Sequence, residues 1–319
     1  MFQYDKGIKI KGADLWLDAV KSVHRCCVTH GHLDHAKKHG EIIATEKTIR
    51  ILDHRMGKRH AISLDFNTAF EIDGCELTLF PAGHILGSAQ VLVQRDGMRV
   101  LYSGDFNLEK SATAEEIEIP EADILIMECT FGKPFYQFPA RTKVEEQLLS
   151  FVQDTLQQKR TPVVIGYVLG KAQEAMKILG DGGFEMAVHG SVAQLATIYE
   201  EFGVRFGHWQ KFQKSELEGK VIIAPPQALK TRTLKNLPGV TTVFLSGWAL
   251  HSGMKFRRGF DEALPLSDHA DFDGLIEYVR KVKPTKIYTT HGFDEFPNHL
   301  RELGFDAELL KSSSQLSLF

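Results

Sequence analysis

The densest chemical motif of the sequence lies close to its N-terminus. Three histidines and one aspartate fall within six residues, at His30, His32, Asp34 and His35. Imidazole nitrogens and carboxylate oxygens are ligands that zinc, manganese and iron accept. A segment this short cannot close two coordination spheres, so further ligands must come from other parts of the chain. The motif therefore predicts a centre for divalent metal ions.

Three more residues of these types follow segments with the period of a β-strand. His84, Asp105 and His291 each come directly after such a segment or a few residues later. Side chains at strand ends are held by a rigid sheet, which is how many enzymes build a site. An acid such as Asp105 can bridge two metals about 3.5–4 Å apart, and such a pair can hold a hydroxide and clamp a phosphoryl group. The pattern predicts metal-assisted hydrolysis.

The remaining histidines and the cysteines do not cluster with other candidate metal ligands in the sequence. An isolated histidine is usually a solvated residue, and we keep that interpretation for His24, His39, His54, His60, His189, His208, His251 and His299. Cys26 and Cys27 lie in an apolar segment, where cysteine usually acts as a small core residue. The sequence has no Cys-x-x-Cys pair, so neither a disulfide scaffold nor a cysteine metal site is expected.

The elements that position these residues change in character along the chain. Residues 1–133 read mainly as strands and turns, whereas residues 134–262 alternate helical segments with short apolar strands. That alternation is typical of an α/β unit with a parallel sheet. Residues 263–319 again read mainly as strands and turns. We therefore predict a discontinuous domain, 1–133 with 263–319, and an inserted domain, 134–262.

Composition limits the classes of protein. The chain has 319 residues, of which 43% are hydrophobic and 25% charged. The hydrophobic fraction excludes a disordered protein. The formal net charge of −3 excludes a uniformly basic surface. No apolar run reaches the roughly 18 residues that span a bilayer. Residues 1–20 lack the pattern of a signal peptide. We expect a cytoplasmic protein without a membrane partner.

Together, the metal-ligand residues resemble those of the metallo-β-lactamase fold, and five further motifs are similar to those of the β-CASP nucleases. These five are Ala82-Gly-His84-Ile-Leu-Gly-Ser-Ala89, Tyr102-Ser-Gly-Asp105-Phe106, Glu128-Cys-Thr-Phe-Gly132, Ser267-Asp-His269-Ala-Asp271 and Thr290-His291-Gly292. Four stretches are similar to the bacterial DNA-ligase-associated exonuclease branch, namely Glu128 to Tyr136, Tyr167 to Glu174, Val188-His-Gly190 and Ser246-Gly-Trp248.

This resemblance covers nearly the whole chain and implies an α/β fold. The fold would be a metallo-β-lactamase αββα sandwich with an inserted α/β β-CASP domain. The resemblance also implies two divalent metal ions, zinc or alternatively manganese. By position in the motifs, the first ion would be held by His30, His32 and His84 and the second by Asp34, His35 and His291, with Asp105 bridging them.

The resemblance also assigns catalytic roles to four residues, and Asp34 is one of them. Asp18 matches an early aspartate that orients the metal ligands. Glu128 and His269 match two signature positions and would hydrogen-bond to each other, with His269 contacting the scissile phosphate or protonating the leaving oxygen. From the residues alone, Asp18 reads as a turn residue and Glu128 as an ordinary acid at a strand end.

Positive charge for a nucleic-acid substrate must come from local patches. Lys255, Arg257 and Arg258 lie in a loop-like segment, where phosphate contacts and simple solvation are equally good interpretations. Lys171 opens a predicted helix and is a further candidate for phosphate binding. For the basic stretch Arg50, Arg55, Lys58 and Arg59, a solvated helix face is the better interpretation.

The last five residues, 315–319, are similar to the pentapeptide by which bacterial replication and repair proteins bind the sliding clamp. Gln315 would offer its amide to a polar subsite, and Leu316, Leu318 and Phe319 supply apolar contacts, the last two in a pocket. The alternative is a terminal strand that packs on the protein's own sheet. Clamp binding would favour DNA as the substrate, because the clamp encircles duplex DNA.

The sequence therefore predicts a two-metal phosphodiesterase, with a DNA exonuclease of DNA repair as the leading hypothesis. The branch resemblance adds a DNA ligase or another repair enzyme as a partner. An RNA-processing β-CASP ribonuclease is the alternative, because histidine at His291 occurs in RNA-processing members as well as in this branch. An inactive scaffold that binds nucleic acid is the third hypothesis, which the intact ligand set disfavours.

Overall fold

The computed structural model describes residues 1–231, 234, 237–251, 253 and 259–311. The chain forms two compact units, one made of Met1–Gln137 with the chain from His269 onward, the other of Phe138–Asp268. The sequence placed these limits after residues 133 and 262, a few residues earlier in each case. Among the described residues, no helix combines the length and the apolarity that a membrane crossing needs.

The first unit contains two sheets. In the first sheet, the six strands lie in chain order: β1 (Phe2–Tyr4), β2 (Ile8–Ile10), β3 (Trp16–Leu17), β4 (Arg25–Cys27), β5 (Glu41–Ala44) and β6 (Ala61–Ser63). The second sheet has seven strands in the order β19-β18-β11-β10-β9-β8-β7. Their bounds are β7 (Phe70–Ile72), β8 (Cys75–Pro81), β9 (Ala89–Arg95), β10 (Met98–Tyr102), β11 (Ile124–Cys129), β18 (Lys286–Gly292) and β19 (Ala307–Leu309).

Six α-helices lie in the described part of the chain. They are α1 (Glu46–Met56), α2 (Arg141–Gln157), α3 (Lys171–Asp181), α4 (Gly190–Glu201), α5 (Phe272–Val282) and α6 (Phe296–Glu302).

Helix α5 shows why the sequence forms these elements. Leu275, Val279 and Val282 recur on one buried face, and the Asp271 side chain accepts a hydrogen bond from the Gly274 amide at the helix start.

The alternation of strand side chains produces four layers in the first unit. Cys27 and Tyr102 face the core between the two sheets. Their neighbours face outward, so that Cys26 packs against α1 and Leu101 against α5 and α6. The layers are therefore helix, sheet, sheet and helix, and the predicted αββα sandwich is confirmed.

The second unit is an α/β domain, as predicted. Its sheet is parallel throughout, in the order β14-β13-β15-β12-β16-β17. The strands are β12 (Thr161–Ile165), β13 (Met186–Val188), β14 (Trp209–Lys211), β15 (Val221–Ala224), β16 (Val240–Leu245) and β17 (Glu262–Leu264). Helices α2, α3 and α4 pack against these strands, as parallel neighbours joined by crossovers require.

Two strands extend further than the sequence indicated. Glu128 lies inside β11 and His291 inside β18, whereas both were expected just beyond their strands. The pairing of β11 with β18 shifts register there, from Glu128 opposite Thr290 to Cys129 opposite Gly292. His291 is the extra residue of this bulge and has a φ of 48°. Bulges redirect side chains, which is how a residue within a strand can serve a site at the sheet edge.

The bulge depends on a close approach at Gly292. A Cβ atom added there would lie 1.9 Å from the carbonyl oxygen of Cys129. We predict that Gly292→Ala lowers the stability of the first unit by about 1–3 kcal/mol, because β18 must move away from β11. The matched control is Gly190→Ala, where an added Cβ has no neighbour within 4 Å. Thermal unfolding would show a clear loss for the first variant and none for the second; equal melting temperatures would contradict the close approach.

Candidate metal centre

Four predicted ligands converge in the first unit. His30, His32, His84 and Asp105 each offer a ligand atom, and these atoms lie within 4.8 Å of one another. The His32 Nδ1 atom is 3.1 Å from the Nε2 atoms of both His30 and His84. Three ring nitrogens that converge beside a carboxylate form a donor set that suits a divalent transition metal.

Asp105 lies between two groups of histidines. Its Oδ2 atom is 3.5 Å from His30 Nε2, 3.8 Å from His84 Nε2 and 3.4 Å from His35 Nε2. On the far side, the rings of His35 and His291 have centroids 5.1 Å apart. One carboxylate oxygen thus faces imidazoles from both predicted ligand sets, as a bridging ligand must.

Asp18 forms hydrogen bonds with residues next to and within the cluster. Its Oδ1 atom accepts a hydrogen bond from the Thr29 amide at 2.8 Å, and its Oδ2 atom accepts from His35 Nδ1 at 2.8 Å. The Asp18 backbone has a φ of 42°, a left-handed conformation that is uncommon outside glycine. This aspartate is 4% exposed and holds the His35 ring, so the turn-residue interpretation was incomplete.

The loop that carries His84 is fixed by hydroxyl groups. The Ser88 hydroxyl accepts a hydrogen bond from the His84 amide at 3.1 Å. The Gly87 carbonyl accepts from the hydroxyls of Thr45 and Thr48, at the start of α1, at 2.7 and 2.9 Å. The loop therefore joins the second sheet to a helix on the opposite side of the sandwich.

The electrostatics of the cluster follow from burial and from charge pairing. Burial, reinforced by the neighbouring His35, holds the pKa of His30 well below its usual range. Burial alone would also lower the pKa of His35, but Asp105 and Asp18 hold it well above the usual range. Burial would raise the pKa of Asp105, yet His35 and His269 hold it well below. His30 is thus neutral and Asp105 ionised, which are the states that metal ligands need. The raised pKa of His35 favours its protonated form, so this ring would release a proton on binding a metal.

A second pair lies next to the cluster. His269 Nδ1 is 2.8 Å from Glu128 Oε1, and Glu128 is 1% exposed. The same oxygen accepts a hydrogen bond from the Phe106 amide at 3.1 Å, while Oε2 accepts from the amide and the hydroxyl of Thr130. The His269 ring centroid is 4.7 Å from that of His84. Glu128 is therefore a buried carboxylate that holds an imidazole beside the donor set.

Some predicted site residues lie elsewhere. Asp34 is exposed and interacts electrostatically with Arg55. Lys171 is 1% exposed, with its ammonium 3.1 Å from Glu174 and 3.5 Å from Asp268, and burial lowers its pKa to about 8. It opens a helix as predicted, but the structure does not present it to a phosphate, because its side chain turns inward to these carboxylates. The predicted basic contacts Lys255, Arg257 and Arg258 and the tail residues Gln315, Leu316, Leu318 and Phe319 lie outside the described residues.

Three residues that sequence reasoning missed touch the site. The Thr29 hydroxyl contacts Asp18 and His30, and the Thr130 hydroxyl contacts Glu128. Arg55, expected on a solvated helix face, donates a hydrogen bond from Nη1 to the Gly31 carbonyl at 2.8 Å. Both threonines adjoin or nearly adjoin a predicted residue in sequence, which is a signal that could have been used.

Comparison with known proteins agrees with this architecture. Residues 13–157 match the beta-lactamase superfamily domain, and residues 262–309 match the Zn-dependent metallo-hydrolase RNA specificity domain. A chain from Enterococcus faecalis, described as a protein of unknown function, shares the fold with a TM-score of 0.62 at 15% identity, over 90% of this chain and 79% of that one.

Three proteins are similar to this chain in sequence. A "Probable DNA ligase" from Opitutus terrae is 36% identical over 99% of this chain, which spans only 32% of that relative. An "RNase J-like protein" from Methanocaldococcus jannaschii is 24% identical over 85% of this chain and 82% of its own length. "Endoribonuclease YSH1" from Candida albicans is 24% identical over 72% of this chain and 33% of its own length. With its αββα sandwich, its inserted α/β unit and these matches, the chain belongs to the metallo-β-lactamase superfamily and, within it, to the β-CASP family.

Proposed function

We propose that this protein is a metal-dependent nuclease that hydrolyses phosphodiester bonds, and that its substrate is DNA. The observation that carries the proposal is the convergence of His30, His32, His84 and Asp105 beside a histidine held by a buried carboxylate. Such a combination offers a metal site next to an acid–base group, and both kinds of group accelerate phosphodiester hydrolysis.

Two divalent ions, zinc or manganese, fit the donor set. His30, His32 and His84 would hold one ion, and Asp34, His35 and His291 the other, with Asp105 shared between them. When bound, such ions supply Lewis acidity that activates water and neutralises charge on phosphoryl oxygens. The side chain of Asp34 would have to turn toward His35 to take part.

His269 is suited to handle the proton of the leaving group. Its Nδ1–H donates to Glu128, which leaves Nε2 as the atom that can hold or release a proton. Glu128 accepts three further hydrogen bonds, from Phe106 and Thr130, so its orientation is fixed. The pair would protonate the departing oxygen or contact the scissile phosphate.

The relatives support two substrates. The relative with 36% identity is named a probable DNA ligase, which favours DNA and a function in repair, with a DNA ligase as partner. The RNA specificity domain and the two ribonuclease-named relatives favour RNA. We favour a DNA exonuclease because the DNA ligase relative matches over 99% of this chain, and we keep an RNA-processing nuclease as the second candidate. The complete donor set disfavours an inactive scaffold.

We further propose that residues 315–319 bind a bacterial sliding clamp. The support is the residue pattern alone, an amide at Gln315 followed by Leu316, Leu318 and Phe319. For a single contact of five residues we expect modest affinity, roughly micromolar, or about −8 kcal/mol.

The metal ligands can be tested by their effect on bound metal. We predict that His32→Ala and Asp34→Ala abolish hydrolysis while the fold is retained, and that Asp105→Ala lowers the metal content most, because it removes the shared ligand. Metal analysis of the purified variants and circular dichroism are the measurements, with the exposed His54→Ala as control. Wild-type turnover by Asp34→Ala would contradict a two-metal site.

The role of His269 predicts a different result. His269→Ala should reduce the rate by roughly 10²–10⁴-fold, the usual contribution of a general acid, with metal content unchanged. The test is single-turnover cleavage together with metal analysis on the same preparation. If the variant loses a metal ion, His269 is a ligand and the proposed proton transfer is wrong.

Substrate choice can be settled with matched oligonucleotides. We predict that single-stranded DNA is degraded faster than RNA of the same sequence when manganese or zinc is supplied. End-labelled products from 5′-phosphate, 5′-hydroxyl and blocked substrates would give the direction of attack, and blocked ends should protect DNA from an exonuclease. Preferential cleavage of RNA would select the second candidate.

Clamp binding predicts a separation of functions. Deletion of residues 315–319 should leave hydrolysis of free oligonucleotides unchanged and abolish co-elution with the clamp. Leu318→Ala combined with Phe319→Ala should have the same effect without shortening the chain. A truncated protein that is insoluble or melts several degrees lower would contradict the proposal, since the segment would then belong to the core.

A further inference from the structure

The Thr29 hydroxyl lies between two groups of the metal centre. Its Oγ1 atom is 2.6 Å from Asp18 Oδ2 and 2.9 Å from His30 Nδ1. Thr29 is 1% exposed. Gly104 packs so closely on it that an added Cβ would lie 2.9 Å from Oγ1. The hydroxyl is thus enclosed, with a carboxylate on one side and an imidazole on the other.

The single hydroxyl proton decides what each partner does. A carboxylate only accepts hydrogen bonds, so Thr29 must donate its proton to Asp18. Its oxygen can then only accept a hydrogen bond from His30, so His30 Nδ1 carries a hydrogen. The only lone pair that the His30 ring can offer is therefore on Nε2, the atom that faces His32 Nδ1 at 3.1 Å and Asp105 Oδ2 at 3.5 Å.

The same carboxylate oxygen acts directly on the other side of the site. Asp18 Oδ2 also accepts from His35 Nδ1, and His35 Nε2 then faces Asp105 Oδ2 at 3.4 Å. One carboxylate thus orients one ring directly and another through Thr29. Both rings direct Nε2 at the same oxygen of Asp105.

We propose that Thr29 is a positioning residue, which fixes the Nδ1–H tautomer of His30 and so leaves Nε2 as the ring atom that would bind a metal ion. The proposal rests on the proposed function in that the cluster binds a divalent ion. Thr29 itself contacts neither metal nor substrate, and it acts through His30.

Two substitutions separate the hydroxyl from the shape of the side chain. Thr29→Val keeps the branched shape and removes the hydroxyl, which leaves His30 Nδ1 and one site on Asp18 without that partner. Thr29→Ser keeps the hydroxyl and removes one methyl group. A role in packing predicts similar losses in both variants, whereas the proposed role predicts loss in Thr29→Val alone.

The test combines the ring state of His30 with metal affinity. In the metal-free wild type and in Thr29→Ser, the nitrogen shifts of His30 in ¹⁵N-detected histidine spectra should report the Nδ1–H tautomer, and in Thr29→Val a mixture. Calorimetric titration with zinc should show affinity reduced about 10–100-fold in Thr29→Val, the usual effect of removing a partner behind a ligand, and nearly unchanged in Thr29→Ser.

An Nε2–H tautomer of His30 in the wild type would overturn the inference, even if the valine variant does not fold. So would unchanged zinc affinity in a folded Thr29→Val, or equal losses in both variants. Failure of the wild type to bind zinc or manganese would instead overturn the proposed function, and the tautomer measurement would still decide the role of Thr29.

Discussion

The whole site depends on one buried carboxylate oxygen, Asp105 Oδ2, at which imidazoles from different elements meet. Asp105 and His84 lie on loops that follow strands of the second sheet, and His30 and His35 lie on the loop that follows β4 in the first. They meet only because the two sheets pack face to face through a shared core, in which Cys27 and Tyr102 lie. Buried charges are tolerated only when they are paired, so the packing and the charge arrangement require each other.

Hydrogen bonds around this oxygen give each imidazole a direction. Asp18 and Thr29 hold the rings of the first sheet, while Ser88, Thr45 and Thr48 hold the loop of His84. Glu128 does the same for His269, with Thr130 in turn holding Glu128. A ligand set that is oriented before the metal arrives loses less conformational freedom on binding. The rigid sandwich thus supplies geometry, and the chemistry belongs to the side chains at its edge.

Residue types and spacing indicated the seven candidate ligands, because side chains at strand ends are held in place by the sheets that carry them. The four layers of the fold were implied by the family resemblance and not by the spacing. The bulge at His291 was not predictable, since it arises from the register between β11 and β18 and from the close approach at Gly292. Lys171 shows a second limit. A helix start was visible in the sequence, but the inward turn of its side chain depends on Glu174 and on Asp268, which is remote in sequence. Thr29 was visible as a neighbour of His30, yet its role needs the position of Asp18.

The metal centre alone does not choose between DNA and RNA, because the phosphodiester group is common to both. Discrimination needs contacts to the 2′-hydroxyl or to the bases, and therefore residues beyond the cluster.

We propose that two metal ions would share Asp105 Oδ2. Anomalous diffraction at the zinc edge from zinc-loaded crystals would show this. We expect two peaks about 3.5–4 Å apart, one beside His30, His32 and His84 and the other beside His35 and His291, with Asp105 next to both. A single ion, or two ions that Asp105 does not bridge, would contradict it.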